Sequence, residues 1–180
     1  MVYILLGTGF EEMEALAPLD ILRRAGVEVM TVGINGKIVY GGHNIGMEAD
    51  IELGEMDLTN LDMIILPGGL GGVASARASQ PALDALRFAW DNGKFVAAIC
   101  AGPTVLADLD ITDGKHATCY PGCEDGMGNA IMAENAAVVA DGRLITGTSA
   151  GCAIPFGLKL IEVLKGKETA AQIAAQIVIR

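Results

Sequence analysis

A cysteine stands where a buried strand runs into a helix. Phe95–Ile99 is apolar, Cys100 follows it directly, and Ala101 and Gly102 lead into a helical segment that begins at Pro103. Cysteine is among the most buried residue types, so packing is one explanation. The other is chemistry, because a sharp strand-to-helix turn exposes a nucleophile and points it at backbone N–H groups of the helix.

Carboxylates follow the first strand of the chain. The stretch GTGFEEMEA puts Glu11, Glu12 and Glu14 at the start of a helix. Acidic residues there often only complement the helix dipole, and we favour this interpretation for Glu11 and Glu12. Glu14 differs, because Pro18 and Ile21, four and seven residues later, place it on an apolar stripe. Burial raises the pKa of a carboxyl group and equips it to hold or pass a proton.

Amide donors follow a third strand, in the stretch ILPGGLGG. The Gly68-Gly69 turn frees backbone N–H groups, and the turn after Cys100 adds the N–H of Ala101. A glycine pair by itself is also consistent with an ordinary turn. Ligands of doubly wound sheets bind beyond the carboxyl ends of the strands. If these strand ends adjoin, we expect thiol, carboxylate and amide donors to meet in one small pocket.

The elements that position these groups alternate along the chain. Continuous Val/Ile/Leu runs are typical of parallel strands that are covered on both faces. The predicted strands are Val2–Leu6, Val27–Gly33, Met63–Leu66, Phe95–Ile99, Ala117–Tyr120 and Leu144–Gly147, and the predicted helices are Glu11–Ala25, Pro81–Asn92, Pro103–Leu109 and Ile154 to the C-terminus. The alternation predicts one doubly wound α/β domain over residues 1–180, a mostly parallel sheet sandwiched by helices.

Two dipeptides predict hairpin turns. Asn35-Gly36 and Asp141-Gly142 each lie between short apolar runs, as in tight hairpins.

The predicted helix Glu11–Ala25 is apolar nearly all round, and such helices are usually buried. Either the C-terminal helices cover its second face, or a homodimer forms partly through it; the pattern alone favours neither.

Composition excludes several classes of protein. The chain has 180 residues, 52% of them hydrophobic, and a formal net charge of −10. It lacks basic clusters that would favour nucleic acid, and it lacks an apolar run of the roughly 18 residues that cross a membrane. We predict a cytoplasmic protein with four reduced cysteines. His116, Cys119 and Cys123 match no standard zinc spacing, so we predict no metal site.

The combination of GFEEMEALAPLDILRRAG, DMIILPGGLGG and VAAICAGPTVLA, in this order and spacing, resembles the ThiJ/PfpI superfamily, in the branch of the parkinsonism-associated protein deglycase. The resemblance covers the whole chain. It implies a flavodoxin-like fold, usually as a homodimer, with Cys100 as nucleophile and no cofactor. It places the glutamate that bonds the cysteine at Glu14 and the oxyanion donors at the Gly68-Gly69 turn, chiefly Gly69, and at Ala101.

The sequence departs from the family at the position of a second catalytic group. Many members of this branch have a histidine where this chain has Tyr120, and the protease branch has one where this chain has Ala101. On a strand, His116 would lie about 13 Å from Tyr120. A tyrosine donates a hydrogen bond but is a poor base at neutral pH, with a pKa near 10. This leaves a Cys–Glu pair, with Tyr120 as an accessory substrate-binding residue. Peptide hydrolysis is therefore disfavoured.

Two functions fit such a pair. A helix N-terminus lowers the pKa of a cysteine, whereas an ionised Glu14 opposes this, so we expect the pair to share one proton, with Glu14 as the protonated partner. The resemblance implies an enzyme that acts on small dicarbonyls such as methylglyoxal and glyoxal (glyoxalase III-type), or on glycated adducts as a protein deglycase. The alternative is a redox sensor or stress chaperone, since an exposed low-pKa thiol is oxidised selectively.

Overall fold

A seven-stranded sheet forms the centre of the protein in the computed structural model, which describes residues 1–179. The strands of the described residues, inside and outside this sheet, are β1 (Val2–Leu6), β2 (Val29–Gly33), β3 (Ile38–Tyr40), β4 (Gly46–Glu48), β5 (Ile51–Glu52), β6 (Met63–Leu66), β7 (Phe95–Ile99), β8 (His116–Ala117), β9 (Ile131–Met132), β10 (Val138–Asp141) and β11 (Leu144–Gly147). The sheet order is β10-β11-β7-β6-β1-β2-β5. Neighbouring strands in this sheet are parallel, except that β10 and β11 are antiparallel to each other. The mostly parallel, flavodoxin-like sheet expected from the sequence is confirmed.

Helices cover both faces of this sheet. They are α1 (Glu12–Arg24), α2 (Leu70–Ala78), α3 (Gln80–Asp91), α4 (Pro103–Asp108), α5 (Ala153–Lys165) and α6 (Lys167–Gln176). Because side chains alternate along a strand, Tyr3 and Leu5 face one apolar core while Ile4 and Leu6 face the other. Both faces of the sheet are therefore shielded from water, which explains why the strands are apolar without interruption.

Some element predictions need correction. The turn at Asn35-Gly36 exists, but β3 pairs with β4 rather than with β2, because the chain leaves the sheet there as a separate hairpin. The second hairpin is confirmed: β10 and β11 are antiparallel, with Asp141 opposite Leu144. The C-terminal helical segment is two helices, since Gly166 between them has φ +89°. Helix α2 was not predicted.

The segment from Ala117 to Tyr120 is not the predicted strand. Only His116–Ala117 is extended, and it pairs with β9 outside the main sheet. The backbone N–H of Thr118 instead donates to Thr146 Oγ1 at 2.9 Å, and that of Tyr120 donates to the Cys100 carbonyl at 2.8 Å. Those bonds tie the segment to β11 and to the cysteine turn, so it crosses the carboxyl edge of the sheet.

Helix α1 packs closely on α5. A Cβ atom placed on Gly157 of α5 would lie 3.0 Å from Ile21 Cδ1 and 3.2 Å from Pro18 Cα. Helix α5 therefore covers one side of α1. On the other side Met13 and Leu16 remain exposed. Across residues 1–179, each helix is too short or too polar to span a lipid bilayer.

Candidate active site

Cys100 occupies a strained turn at the end of β7. Its φ is +64°, a left-handed conformation that is uncommon for a residue with a side chain. The chain reverses tightly there, and Gly102 N–H donates to the Ile99 carbonyl at 2.9 Å. A Cβ on Gly102 would lie 2.7 Å from the Leu66 carbonyl oxygen, so the turn requires glycine. The thiol is thereby lifted off the sheet and remains partly exposed.

Glu14 lies beneath this turn, on the first turn of α1. Its side chain is fully buried, as the apolar stripe predicted, and its Oε2 accepts the Gly68 N–H at 2.9 Å. A Cβ atom placed on Gly68 would lie 2.6 Å from Glu14 Oε2 and 2.7 Å from Cys100 Cβ. The glycine therefore lets the carboxyl group and the cysteine approach each other. Among residues 1–179, Glu14 Oε1 is buried with no hydrogen-bond partner of ordinary geometry.

Backbone amides complete the site. The N–H groups of Ala101 and Gly69 donate toward the Cys100 thiol and lower its pKa. Gly69 has φ +86°, and a side chain there would meet the backbone of Glu11. The structure thus brings together Cys100, Glu14, Gly68, Gly69 and Ala101, from three different strand ends.

Burial controls the protonation of the pair. It raises the pKa of Glu14 to about 7, although the nearby Cys100 thiol and the Gly68 N–H lower that pKa. It also raises the pKa of the Cys100 thiol, as does an ionised Glu14, and these effects outweigh the two amides. The net direction for the thiol is opposite to that expected from a helix N-terminus. Since two buried negative charges are disfavoured, the pair holds one proton above about pH 7. Among the described residues, Oε1 is the carboxyl oxygen of Glu14 that has no hydrogen-bond partner.

Tyr120 contacts the site through its backbone. Its N–H bonds the Cys100 carbonyl, and its side chain is about half exposed (48%) beside the cysteine turn. His116 is exposed and its Nδ1 lies 3.3 Å from Asp141 Oδ2. That histidine is therefore bound to the β10–β11 hairpin and is not a partner of Cys100.

Glu11 and Glu12 do more than complement the helix dipole. Glu11 caps α1, with its Oε2 accepting the Glu14 N–H at 2.8 Å. Glu12 is buried and accepts the His43 N–H at 2.7 Å, with His43 Nδ1 at 2.8 Å. Sequence reasoning missed this pair, because His43 comes from the β3–β4 loop, about thirty residues away. No local pattern indicates such a contact.

The other three cysteines lie apart from this chemistry. Cys119 is buried. Burial is the largest cause that raises its pKa to about 11, and the nearby Glu124 carboxylate is the next. Cys152 lies at the start of α5, where Ser149 Oγ is 3.9 Å from its sulfur. Both positions agree with a packing role. Within residues 1–179, His116, Cys119 and Cys123 do not converge as a group of metal ligands.

Comparisons with known proteins show the family to which the chain belongs. A model described as the DJ-1/PfpI family matches residues 1–163. Protein dj-1beta of Drosophila melanogaster is 37% identical over 178 residues, covering 98% of this chain and 95% of the relative. Its crystal structure superposes with a TM-score of 0.95 at 36% identity, over 99% of this chain and 97% of that one.

Two further relatives have informative names. The structure of Toxoplasma gondii DJ-1, oxidized, has a TM-score of 0.93 at 34% identity and covers 98% of this chain and 97% of that one. A deglycase of Pyrococcus abyssi is 29% identical over 165 residues, covering 91% of this chain and 99% of the relative. With a family model matched over most of its length and near full-length relatives, this chain belongs to the DJ-1/PfpI family.

Proposed function

We propose that this protein is a cofactor-independent cysteine enzyme that converts small reactive dicarbonyls, such as methylglyoxal and glyoxal, to hydroxy acids. The observation that carries the proposal is the buried Glu14 Oε1. It lacks a hydrogen-bond partner among residues 1–179 and lies beside a thiol that two backbone N–H groups face. An acid–base group with a pKa of about 7 is matched to proton transfer at neutral pH.

The first step is addition of Cys100 to the aldehyde. Sulfur bonds to the aldehyde carbon, the thiol proton passes to Glu14, and the carbonyl π electrons move to oxygen. The N–H groups of Gly69 and Ala101 stabilise that oxygen while it is negative. Protonation of the oxygen by Glu14 then gives a neutral hemithioacetal.

The second stage moves hydrogen between adjacent carbons. Glu14 removes the proton from the carbon bonded to sulfur, which leaves an enediolate. The hydroxyl proton passes to the neighbouring oxygen, and Glu14 returns its proton to the neighbouring carbon. The product is a thioester of the 2-hydroxy acid, and water cleaves it to regenerate the thiol. For methylglyoxal the balance is one dicarbonyl and one water consumed and one lactic acid formed, with no net oxidation.

Glycated adducts are a second substrate class for the same chemistry. The relative from Pyrococcus abyssi is named a deglycase. A hemithioacetal or hemiaminal releases free dicarbonyl reversibly, so removal of the dicarbonyl also reverses the adduct. An enzyme that acts on the adduct itself keeps its rate when a fast dicarbonyl trap is added, whereas a scavenger of free dicarbonyl slows. Measuring repair of a glycated thiol with and without the trap separates the two.

The test of the main proposal is lactate formation from methylglyoxal by the purified protein. Cys100→Ser and Glu14→Gln should each lose nearly all turnover, and Cys152→Ser is a matched thiol control that should keep it. Unchanged turnover in either site variant would remove this mechanism.

A redox function is the alternative that one observation favours. The Gly69 and Ala101 N–H groups that face sulfur would stabilise an oxidised sulfur anion as well as an alkoxide. Mild peroxide followed by mass spectrometry tests it. Preferential oxidation of Cys100, in a protein without dicarbonyl turnover, supports the sensor, and oxidation of Cys119, Cys123 and Cys152 at the same rate contradicts it.

A further inference from the structure

The two N–H donors that face Cys100 belong to peptide groups whose carbonyls point the other way. The Gly69 N–H shares a peptide with the Gly68 carbonyl, and the Ala101 N–H shares one with the Cys100 carbonyl. In a trans peptide the N–H and C=O are antiparallel, and the described residues contain no cis peptide. Whatever fixes each carbonyl therefore fixes the direction of the donor.

Each of these carbonyls accepts a hydrogen bond from a different part of the chain. Glu11 N–H, at the N-cap of α1, donates to the Gly68 carbonyl at 3.0 Å. Tyr120 N–H donates to the Cys100 carbonyl at 2.8 Å. Neither bond belongs to a helix or to a strand pairing.

On the Glu11 side the arrangement extends by one more peptide. The Phe10 carbonyl, which shares a peptide with the Glu11 N–H, accepts the Gly42 N–H at 2.8 Å. The Gly42, Glu11 and Gly69 N–H groups thus form a series that ends at the Cys100 thiol. Hydrogen bonds in series polarise one another, which strengthens the last donor.

The donors need such support because their own backbone is permissive or strained. Gly68 and Gly69 have no side chain to restrict rotation of the peptide between them. Cys100 has φ +64°, which costs free energy that the surrounding contacts must offset. A peptide that rotated would present its carbonyl oxygen to sulfur and to the oxyanion, which repels both.

We propose that Glu11 and Tyr120 are positioning residues, whose backbone N–H groups hold the Gly68 and Cys100 carbonyls and so aim the Gly69 and Ala101 N–H donors at the reacting atoms. The role for catalysis rests on the proposed function. The role for the thiol does not, because the same donors face sulfur in the free protein. It also gives Tyr120 a function that its hydroxyl group does not carry.

The test removes one N–H and leaves every side chain unchanged. Incorporating the α-hydroxy acid analogue of tyrosine at position 120 replaces the amide by an ester and keeps the side chain. The matched control is the same replacement at Tyr40, in β3, whose side chain is similarly exposed (52% against 48%). The readouts are kcat and KM for methylglyoxal, the rate of Cys100 alkylation at fixed pH, and the melting temperature.

We expect the ester at position 120 to lower kcat by about tenfold or more, since loss of a whole oxyanion donor costs on the order of 100-fold or more. KM should change less than about twofold, because the donors act mainly on the transition state. Alkylation of Cys100 should slow several-fold, and the Tyr40 ester should leave kcat and alkylation unchanged. Equal effects of the two esters on both readouts would overturn the proposal. If the unmodified protein has no dicarbonyl turnover, the proposed function fails while the alkylation rates still decide the positioning role.

A second pair of variants covers the case in which the Tyr120 ester does not fold. Glu11 has φ −85°, close to the value that proline adopts. Glu11→Pro removes the N–H and puts a ring carbon against the Gly68 carbonyl, whereas Glu11→Ala loses the same carboxylate cap but keeps the N–H. Glu11→Pro should be slower in alkylation and turnover than Glu11→Ala by about tenfold, the scale of a displaced donor. Equal rates in the two variants would contradict the role of Glu11.

Discussion

Substitutions of Glu14 and of Tyr120 should lower turnover by different amounts. Glu14→Gln removes the proton carrier and should lower lactate formation at least about 100-fold, the usual lower bound for a general acid–base group. Tyr120→Phe keeps the backbone N–H and removes one hydroxyl donor, which should cost about 10-fold, the scale of one neutral hydrogen bond. Loss of activity in Tyr120→Phe with little change in Glu14→Gln would mean that the roles are reversed.

The pH dependence of turnover follows from the shared proton. The pKa of Glu14 is raised to about 7 by burial, so the pair loses its first proton near that pH. We expect kcat/KM to rise with pH below 7 and to level off above it. The measurement is the initial rate of lactate formation between pH 5 and pH 9. A profile that is flat across pH 7 would contradict assignment of this proton to the site.

The same pKa makes a prediction about stability. A carboxyl group whose pKa is higher in the folded state, about 7 against 4.5, contributes most stability at low pH. That contribution is lost as pH rises from about 4.5 to 7, by up to about 3 kcal/mol from the shift of the pKa. Glutamine resembles the protonated form, so Glu14→Gln should gain stability over the wild type across this range and hold the gain above it. Denaturant unfolding at pH 4.5 and pH 8 measures the difference, and an equal difference at both pH values would contradict it.

The elements that carry the site depend on the close contact between α1 and α5. Gly157→Val would overpack this contact, at a cost of about 1–3 kcal/mol, and would shift α1 and with it Glu14. We expect a lower melting temperature together with lower kcat. Gly157→Ala is the control, because its single Cβ needs only small movements and gains helix propensity of about 1 kcal/mol. If Gly157→Val loses stability but keeps kcat, the position of Glu14 does not depend on α5.

At the scale of the whole molecule, an apolar surface remains uncovered. Met13, Leu16, Ile45 and Ile154 are all exposed and border a groove of about 500 Å³ between α1, the β3–β4 loop and the start of α5. We propose that a second copy of the chain covers this surface. The homodimer was one of two alternatives for the apolar α1, and α5 covers only the other side of that helix.

The prediction for this surface is a change in mass. The wild type should have the mass of two chains in light scattering at micromolar concentration, and Ile154→Asp should have the mass of one. An acidic residue is compatible with the first turn of α5, so the fold should survive. Phe88→Asp, on α3 across the sheet, is the control and should stay dimeric. A wild type with the mass of one chain would exclude the dimer.

The local pattern of residues determines much of this protein. Uninterrupted apolar runs predicted the parallel strands, because a strand that is buried on both faces has no polar positions. The cysteine turn and the buried Glu14 were also predictable, the first from small residues around Cys100 and the second from the apolar stripe of α1. The family resemblance assigned their roles.

Tertiary structure decided what depends on contacts between distant segments. Nothing in ATCYPG indicates that residues 118–120 leave the sheet to bond Thr146 and the Cys100 carbonyl, since Thr and Tyr are both common in strands. The Glu12–His43 pair and the covering of α1 by α5 are likewise invisible in local patterns. The direction of the Cys100 pKa shift also required the fold, because burial and the distance to Glu14 set it, whereas the turn alone predicted the opposite.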